Sequence, residues 1–173
     1  MKIFNKILMH VWRIIVFFCV NVIYKGPNPR YFPVKRWLLN SIGYKIGKNT
    51  KIVAPIYCTG SLTIGDNCWI GADFRVWGNG HVILGNNIDV APNVSFYTGS
   101  HYIGNESRRA GDGYNCTIIV HDGCWICGGA SFTNDIEVGQ ASVVAACACV
   151  VKNISSNVLV GGVPAKNIKE LNK

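Results

Sequence analysis

The four histidines are the side chains of this 173-residue chain best suited to acid–base chemistry. An imidazole titrates near neutral pH, so it can take a proton from a hydroxyl, which is a poor nucleophile until it is deprotonated. His81, His101 and His121 lie twenty residues apart, and this spacing matches no known pattern of zinc ligands. The histidines therefore favour proton transfer, and we expect no metal centre.

Cysteine chemistry is not indicated either. The only C-x-x-C motif runs from Cys124 to Cys127, and no second pair or suitably spaced histidines complete a zinc site. The N-terminal apolar stretch is followed by no convincing secretory cleavage site. We expect the eight cysteines to be reduced thiols without a disulfide framework, in a cytoplasmic protein.

Positive charge is concentrated at the start of the chain. Ten of the 17 lysines and arginines lie in residues 1–51, whereas the first of the nine acidic residues is Asp66. Aromatic residues are mixed with these cations. This combination suits an anionic membrane surface or a polyanionic partner better than sequence-specific binding to nucleic acid, and a solvated basic face is the alternative. We expect no nucleic-acid partner.

Residues 1–41 are predicted to form an amphipathic helical segment. Lys2, Lys6, His10 and Arg13 recur at helical spacing. The longest uninterrupted apolar run is seven residues, too short for a clean membrane span. A helix on a membrane surface and a helix packed against the protein or a neighbouring subunit both fit this pattern. The apolar residues opposite the cations are Ile3, Phe4, Ile7, Leu8, Val11 and Ile15.

The rest of the chain carries a six-residue repeat. Apolar residues recur every six positions in three runs, and all sixteen of these positions are apolar. A period of six fits neither a helix nor a regular strand. The positions are Ile46, Ile52, Cys58, Ile64, Ile70, Val76 and Val82; Leu84, Val90 and Phe96; and Val120, Ile126, Phe132, Val138, Val144 and Val150.

The residues between these positions predict tight corners. Asparagines sit three places after several repeat positions, and asparagine tolerates the backbone angles of a corner. A short strand and a corner, three times per circuit, make a triangular coil of eighteen residues, and stacked coils bury a continuous core. The period is lost within residues 98–117, so this segment should leave the coil as an extruded loop. The corner asparagines are Asn49, Asn67, Asn79, Asn87 and Asn93.

Two stretches resemble the hexapeptide-repeat acyltransferases. They are Ile64-Gly65-Asp66-Asn67-Cys68-Trp69-Ile70-Gly71, and Val144-Ala145-Ala146 through Gly161-Gly162-Val163-Pro164-Ala165-Lys166. The resemblance covers about residues 42–171. It implies an all-β fold, a left-handed parallel β-helix over residues 42–173 with a short C-terminal helix. It also implies a homotrimer with active sites between neighbouring coils.

The segment Ala91-Pro92-Asn93-Val94 followed by His101 is similar to the maltose, galactoside and streptogramin acetyltransferases, a group that we take together with the polysaccharide O-acetyltransferases. In those enzymes the histidine is the general base. The resemblance therefore implies that His101 takes a proton from the acceptor hydroxyl as this attacks the thioester of acetyl-CoA, without a covalent acyl-enzyme. His10, His81 and His121 lack this context and are expected to be structural.

The acceptor side departs from the family pattern at Asp73. The galactoside enzymes carry an asparagine there, and a carboxylate cannot donate the same hydrogen bond unless it is protonated. Asp73 is expected either to orient His101 or to shape a turn. The remaining acceptor candidates belong to the predicted loop, and they are Tyr97, Tyr102, Glu106, Arg108 and Arg109.

The resemblance also implies a coenzyme site on the later coils. Gly128 and Ala146 are eighteen residues apart, so they should stack and offer backbone groups to the pantetheine arm. Lysine side chains suit the coenzyme phosphates. Lys152 and Lys169 align with the family's phosphate positions, with Lys166 as a nearby substitute, and Trp125 matches a family tryptophan beside the site.

The expected function is therefore acetyl-CoA-dependent O-acetylation of a sugar, a nucleotide sugar or a lipid-linked saccharide during surface polysaccharide biosynthesis. The basic N-terminal segment suggests peripheral contact with the inner face of the cytoplasmic membrane. An antibiotic acetyltransferase of the streptogramin type, or another small-molecule acetyltransferase, is the first alternative. A non-catalytic β-helix scaffold is the second.

Overall fold

Two helices precede the repeat region. The computed structural model describes residues 2–172, with side chains from residue 5 onward, so the predicted faces at Lys2, Ile3 and Phe4 lie outside the described side chains. Helix α1 spans Lys2–Phe18 and continues into a π-helical turn at Cys19–Ile23. A 3-10 turn at Pro29–Tyr31 then leads into helix α2, Phe32–Ser41. Between them lies Gly26-Pro27-Asn28-Pro29, where the prolines prevent a continuous helix.

Three parallel sheets form the sides of the repeat region. Sheet A contains β1 Lys45–Ile46, β4 Ser61–Ile64, β7 His81–Leu84, β12 Thr117–Val120 and β15 Ile136–Val138. Sheet B contains β2 Lys51–Ile52, β5 Trp69–Ile70, β8 Asp89–Val90, β13 Trp125–Ile126, β16 Val143–Val144, β18 Val158–Gly161 and β19 Lys166–Glu170. Sheet C contains β3 Ile56–Cys58, β6 Phe74–Trp77, β9 Ser95–Tyr97, β14 Ser131–Thr133 and β17 Cys149–Val150. The chain visits A, B and C in turn, so it forms a parallel β-helix.

The strand register confirms the coil of eighteen residues and explains one break in the repeat. Lys51 pairs with Trp69, eighteen residues on. Trp69, however, pairs with Asp89, twenty residues on, because the second coil carries two extra residues at the Gly78–Gly80 corner. The hexad count therefore slips by two within β7, where Val82 and Leu84 both point into the core.

The core is the column of inward residues that the repeat predicts. All sixteen repeat positions are buried. Sheet C contributes the largest side chains, since Phe96 lies between Phe74 and Phe132 with ring centroids 5.4 and 4.7 Å away. Four of the five predicted corner asparagines have positive φ, which allows the sharp turn between sides. They are Asn49, Asn67, Asn87 and Asn93.

The N-terminal helices cover the first coil. Their side chains make hydrogen bonds to its backbone that a neighbouring strand would otherwise make. Asn40 accepts from the Ile46 N–H at 2.7 Å and donates to its carbonyl at 3.2 Å. Asn21 does the same for Ile56, at 2.9 and 2.8 Å. Arg13 donates to the Cys58 carbonyl at 2.8 Å. Each bond satisfies a backbone group that the first coil would otherwise leave unpaired.

Helix α2 carries a buried cation. Lys35 is fully buried, its Nζ donates to the Gly26 carbonyl at 2.8 Å, and the ammonium lies 4.9 Å from the centre of the Phe32 ring. Burial lowers the pKa of this ammonium to about 8, because a low-dielectric environment disfavours the charged form. Lys35 therefore ties the segment before α2 to the helix itself.

The C-terminal segment differs from the expected outline, whereas the extruded segment agrees with it. The predicted C-terminal helix is wrong, because residues Lys166–Glu170 form β19, antiparallel to β18. The last coil offers an unpaired strand edge, and four of the five residues of β19 pair with it around one bulge, whereas a helix this short would leave most of its backbone groups unpaired. The predicted loop does leave the coil, and it folds into an antiparallel hairpin, β10 Gly99–Ile103 and β11 Ala110–Asn115.

Candidate active site

His101 lies on the first strand of the extruded hairpin with its ring fixed by the second strand. Its Nδ1 is 2.8 Å from the Gly111 carbonyl oxygen. A carbonyl can only accept, so the proton of the neutral ring resides on Nδ1 and Nε2 keeps a lone pair. The ring packs beside Gly113, where a Cβ would lie 3.7 Å from Cε1. His101 is exposed, so Nε2 can reach a proton on a bound molecule.

The other predicted acceptor residues are spread along this hairpin, from its base to its turn. Tyr97 ends β9 and is 45% exposed. Tyr102 packs against Tyr114 across the hairpin, with ring centroids 4.7 Å apart and ring planes tilted by 38°. Arg108 is exposed in the hairpin turn, and Arg109 donates to the Gly104 carbonyl at 3.3 Å. The hairpin thus presents phenol, guanidinium and imidazole groups together.

Asp73 lies at a different corner of the coil. We call the corner between sheets B and C corner BC and the corner between sheets C and A corner CA. Asp73 is at corner BC with φ +60, and its carboxylate pairs with Arg75 at 3.3 Å. His101 leaves corner CA, about 16 Å away along a strand of sheet C. Within one chain Gly111 orients the ring, and Asp73 shapes its corner.

The predicted coenzyme residues share corner BC with Asp73. Gly128 and Ala146 stack on successive coils, since the Cys147 N–H donates to the Gly128 carbonyl at 3.0 Å. Over the described part of the chain, the N–H groups of Gly128 and Ala146 have no hydrogen-bond partner. Consecutive coils lie about 4.8 Å apart. The corner therefore offers a short ladder of free donors to an extended amide-bearing chain.

Trp125 and two of the three lysines adjoin this corner. Trp125 is 55% exposed on sheet B, directly before the corner. Lys166 and Lys169 lie on β19, the edge strand of the same sheet, where they pair with Gly161 and Leu159 of β18. Lys152 follows β17 and lies at corner CA instead. The geometry therefore groups Lys166 and Lys169, but not Lys152, with Gly128 and Ala146.

The remaining histidines have other surroundings. His121 pairs with Glu137 at 3.1 Å beside an open cavity of about 430 Å³, and His81 lies exposed on the outer face of sheet A. In residues 2–172 no three His, Cys, Asp or Glu side chains are grouped as metal ligands would be. His101 thus differs from the other histidines in that a backbone carbonyl orients its ring.

Two features were not predicted from side-chain patterns: the backbone partner of His101 and a concavity beside α2. The Gly111 carbonyl is a backbone group, so no side-chain pattern reports it; only pairing of β10 with β11 places it beside His101. A concavity of about 570 Å³ also lies where α2 meets sheet B, with Phe32, Arg36, Lys51 and Trp69 in its lining. The spacing of Lys51 and Trp69 by eighteen residues was the signal that could have shown them stacked.

Three curated proteins are similar to this chain over most of its length. A yeast protein (Saccharomyces cerevisiae) assigned as an acetyltransferase is 34% identical over 71% of this chain and 64% of its own length. The galactoside O-acetyltransferase of Escherichia coli is 28% identical over 84% of this chain and 72% of its own. An Escherichia coli protein assigned as a colanic acid biosynthesis acetyltransferase is 30% identical over 78% of this chain and 75% of its own. The chain belongs to the hexapeptide-repeat acetyltransferases.

Solved structures of hexapeptide-repeat acetyltransferases have the same fold. One from Vibrio cholerae, solved with acetyl coenzyme A, superposes with a TM-score of 0.82 at 22% identity, over 96% of this chain and 88% of that one. The coil is thus the left-handed parallel β-helix of the hexapeptide-repeat acetyltransferases. No family model matches the chain.

Proposed function

We propose that this protein transfers an acetyl group from acetyl-CoA to a hydroxyl of a saccharide used in surface polysaccharide biosynthesis. The observation that carries the proposal is the 2.8 Å contact between His101 Nδ1 and the Gly111 carbonyl oxygen, which orients the ring and leaves Nε2 available to act as the base. A related protein assigned to colanic acid biosynthesis and a galactoside O-acetyltransferase support a carbohydrate acceptor.

In the proposed mechanism His101 accepts one proton from the acceptor hydroxyl and later donates it to the leaving thiolate. Nε2 takes the proton of the acceptor hydroxyl as the oxygen attacks the thioester carbonyl, and the Gly111 carbonyl stabilises the imidazolium through Nδ1–H. When the carbon–sulfur bond breaks, His101 returns the proton to the departing thiolate. The products are an acetyl ester and free coenzyme A, and His101 is restored to its starting state.

The free N–H ladder of Gly128 and Ala146 is proposed to hold the pantetheine arm, with Trp125 beside it. Lys166 and Lys169 are placed to meet the phosphates, since two ammonium groups on one strand suit a polyphosphate. Lys152, at the other corner, would serve a coenzyme bound to a neighbouring copy.

The separation of the two corners supports a homotrimer. A base at corner CA and a coenzyme ladder at corner BC, about 16 Å apart, cannot act on one thioester within a single chain. A neighbouring copy can bring its corner BC against the His101 hairpin. We propose that each active site combines the two corners from adjacent subunits.

Mixed trimers test this arrangement. His101→Ala removes the base, and Ala146→Trp fills the exposed corner where the pantetheine arm would lie. Each variant alone should be inactive, whereas co-expressed chains should recover part of the wild-type turnover, because some interfaces then combine an intact hairpin with an intact corner. Differently tagged copies purified in sequence establish that the subunits have mixed. Mixed trimers without recovered turnover would contradict the shared site.

Thiol release from acetyl-CoA tests the activity itself. We expect release that depends on a galactoside, a nucleotide sugar or a lipid-linked saccharide, with mass spectrometry locating one added acetyl group on the acceptor. Acetylation of a streptogramin and of none of the saccharides would favour the antibiotic enzyme. A protein that binds no acetyl-CoA would contradict the enzyme and favour a scaffold.

We place the reaction in the cytoplasm. The eight cysteines are free thiols, and burial raises the pKa of the Cys58 thiol to about 12 and also raises that of Cys124. Four of the eight cysteines are buried, and a set of unpaired thiols suits a reducing compartment. Fractionation of cells expressing the tagged chain, with and without membrane pelleting, checks this placement.

A further inference from the structure

Helix α1 carries a continuous apolar surface that nothing in the described chain covers. Seven large apolar side chains, each between 44% and 59% exposed, fall within a sector of about 120° around the helix axis. We call this surface the apolar stripe. Its members are Ile7, Leu8, Val11, Ile14, Ile15, Phe18 and Val22.

The opposite side of α1 is fixed to the coil. Val16 and Val20 are fully buried, and Trp12 donates to Ser41 at 2.9 Å. Arg13, predicted on a solvent-facing basic side, instead reaches the Cys58 carbonyl and the Tyr44 hydroxyl. These contacts orient the helix so that the stripe faces away from the protein.

The same contacts decide how the helix can meet a membrane. The stretch Asn5–Ile23 is long and apolar enough, by length and composition, to cross a bilayer. To cross, α1 would have to separate from the coil, exposing Val16 and Val20 and withdrawing Arg13 from its two partners. A helix lying in the membrane surface keeps all of these contacts and still buries the stripe.

The charges around the stripe favour an anionic surface over a second copy of the chain. The first 65 residues contain no acidic residue, and Lys6, Lys25 and Arg30 are exposed in the N-terminal segment. Two copies joined through their stripes would bring these like charges together. Anionic lipid headgroups would instead attract these cations.

We propose that the apolar stripe docks this protein on the anionic inner surface of the cytoplasmic membrane, with α1 parallel to the bilayer plane. The docked coil then stands on the membrane by its N-terminal end, which places the first coils nearest the lipid. This docking is independent of acetyl transfer and holds whether or not the proposed acceptor is correct.

Flotation of the full-length protein with lipid vesicles tests the proposal. The protein should float with vesicles containing phosphatidylglycerol, and less with vesicles of phosphatidylcholine alone or at high salt. The double substitution Ile14→Glu and Phe18→Glu should lower the partition coefficient at least about tenfold, because it places two carboxylates in the stripe. Val163→Glu with Ile168→Glu is the matched control, since these side chains are at least as exposed and lie at the other end of the coil, and it should float like the wild type.

Mass measurement in solution separates the alternatives. The stripe variant should keep the oligomeric mass of the wild type and its circular dichroism spectrum. A variant that loses subunits would show that the stripe joins copies of the chain, which overturns the proposal. Equal flotation of the stripe variant and the control, or no flotation of the wild type, would also overturn it.

Discussion

Substituting His101 by alanine should lower kcat about 100- to 10,000-fold, the range over which a general base contributes. The affinity for acetyl-CoA should stay near the wild-type value, because the ladder of Gly128 and Ala146 lies at the other corner. Acceptor-dependent thiol release and equilibrium binding of the coenzyme measure the two quantities separately.

Two further variants test whether the basic nitrogen of His101 itself is required. His101→Asn keeps a side-chain N–H that can reach the Gly111 carbonyl but has no basic nitrogen, so it should be as inactive as the alanine variant. His121→Ala removes an exposed imidazole paired with Glu137, outside the proposed site, and should turn over like the wild type. Wild-type turnover by His101→Ala would show that another group takes the proton.

The second large effect is expected in the core. Phe96→Ala should lower the free energy of unfolding by about 3–5 kcal/mol, because it removes the middle ring of three and leaves a cavity between Phe74 and Phe132. Denaturant unfolding followed by circular dichroism, at a fixed protein concentration, measures the change. Ile103→Ala is the control, since Ile103 is 89% exposed and should shift stability by less than about 0.5 kcal/mol.

A loss below about 1 kcal/mol at Phe96 would mean that neighbouring coils collapse onto the cavity or that sheet C unfolds apart from the rest. The linked strands argue against both outcomes, since β9 is paired with β6 and β14 on its two sides.

The repeat made the coil predictable because one position in every six is both inward and apolar, and no other regular structure has that period. Every repeat position is buried for this reason. The two-residue slip at Val82 and Leu84 was visible in the sequence, but its cause, a longer corner at Gly78–Gly80, required the strand register. Periodicity thus predicted the core residues and most corner asparagines, but not the length of each corner.

The candidate site was predictable only in part. The residue types of His101, Gly128 and Ala146 were recognised from their contexts, and the coil placed the last two together. The partner of His101 is a backbone carbonyl, and the Asp73 carboxylate forms an ion pair with Arg75, two residues away. Such local pairings depend on hairpin register and corner geometry, which carry no periodic signal. Lys152 and Lys169 are likewise separated by corners that a linear alignment does not distinguish.

The two ends of the coil are finished by chain segments that do not belong to the repeat. Asn21 and Asn40 satisfy the backbone of the first coil, and β19 pairs with the last strand of sheet B. A stack of parallel coils otherwise has unpaired backbone N–H and C=O groups at both ends. These groups could pair one molecule with the next without limit. Because the ends are sealed independently, the number of coils between them can change by whole circuits while the protein stays a discrete particle rather than a fibre.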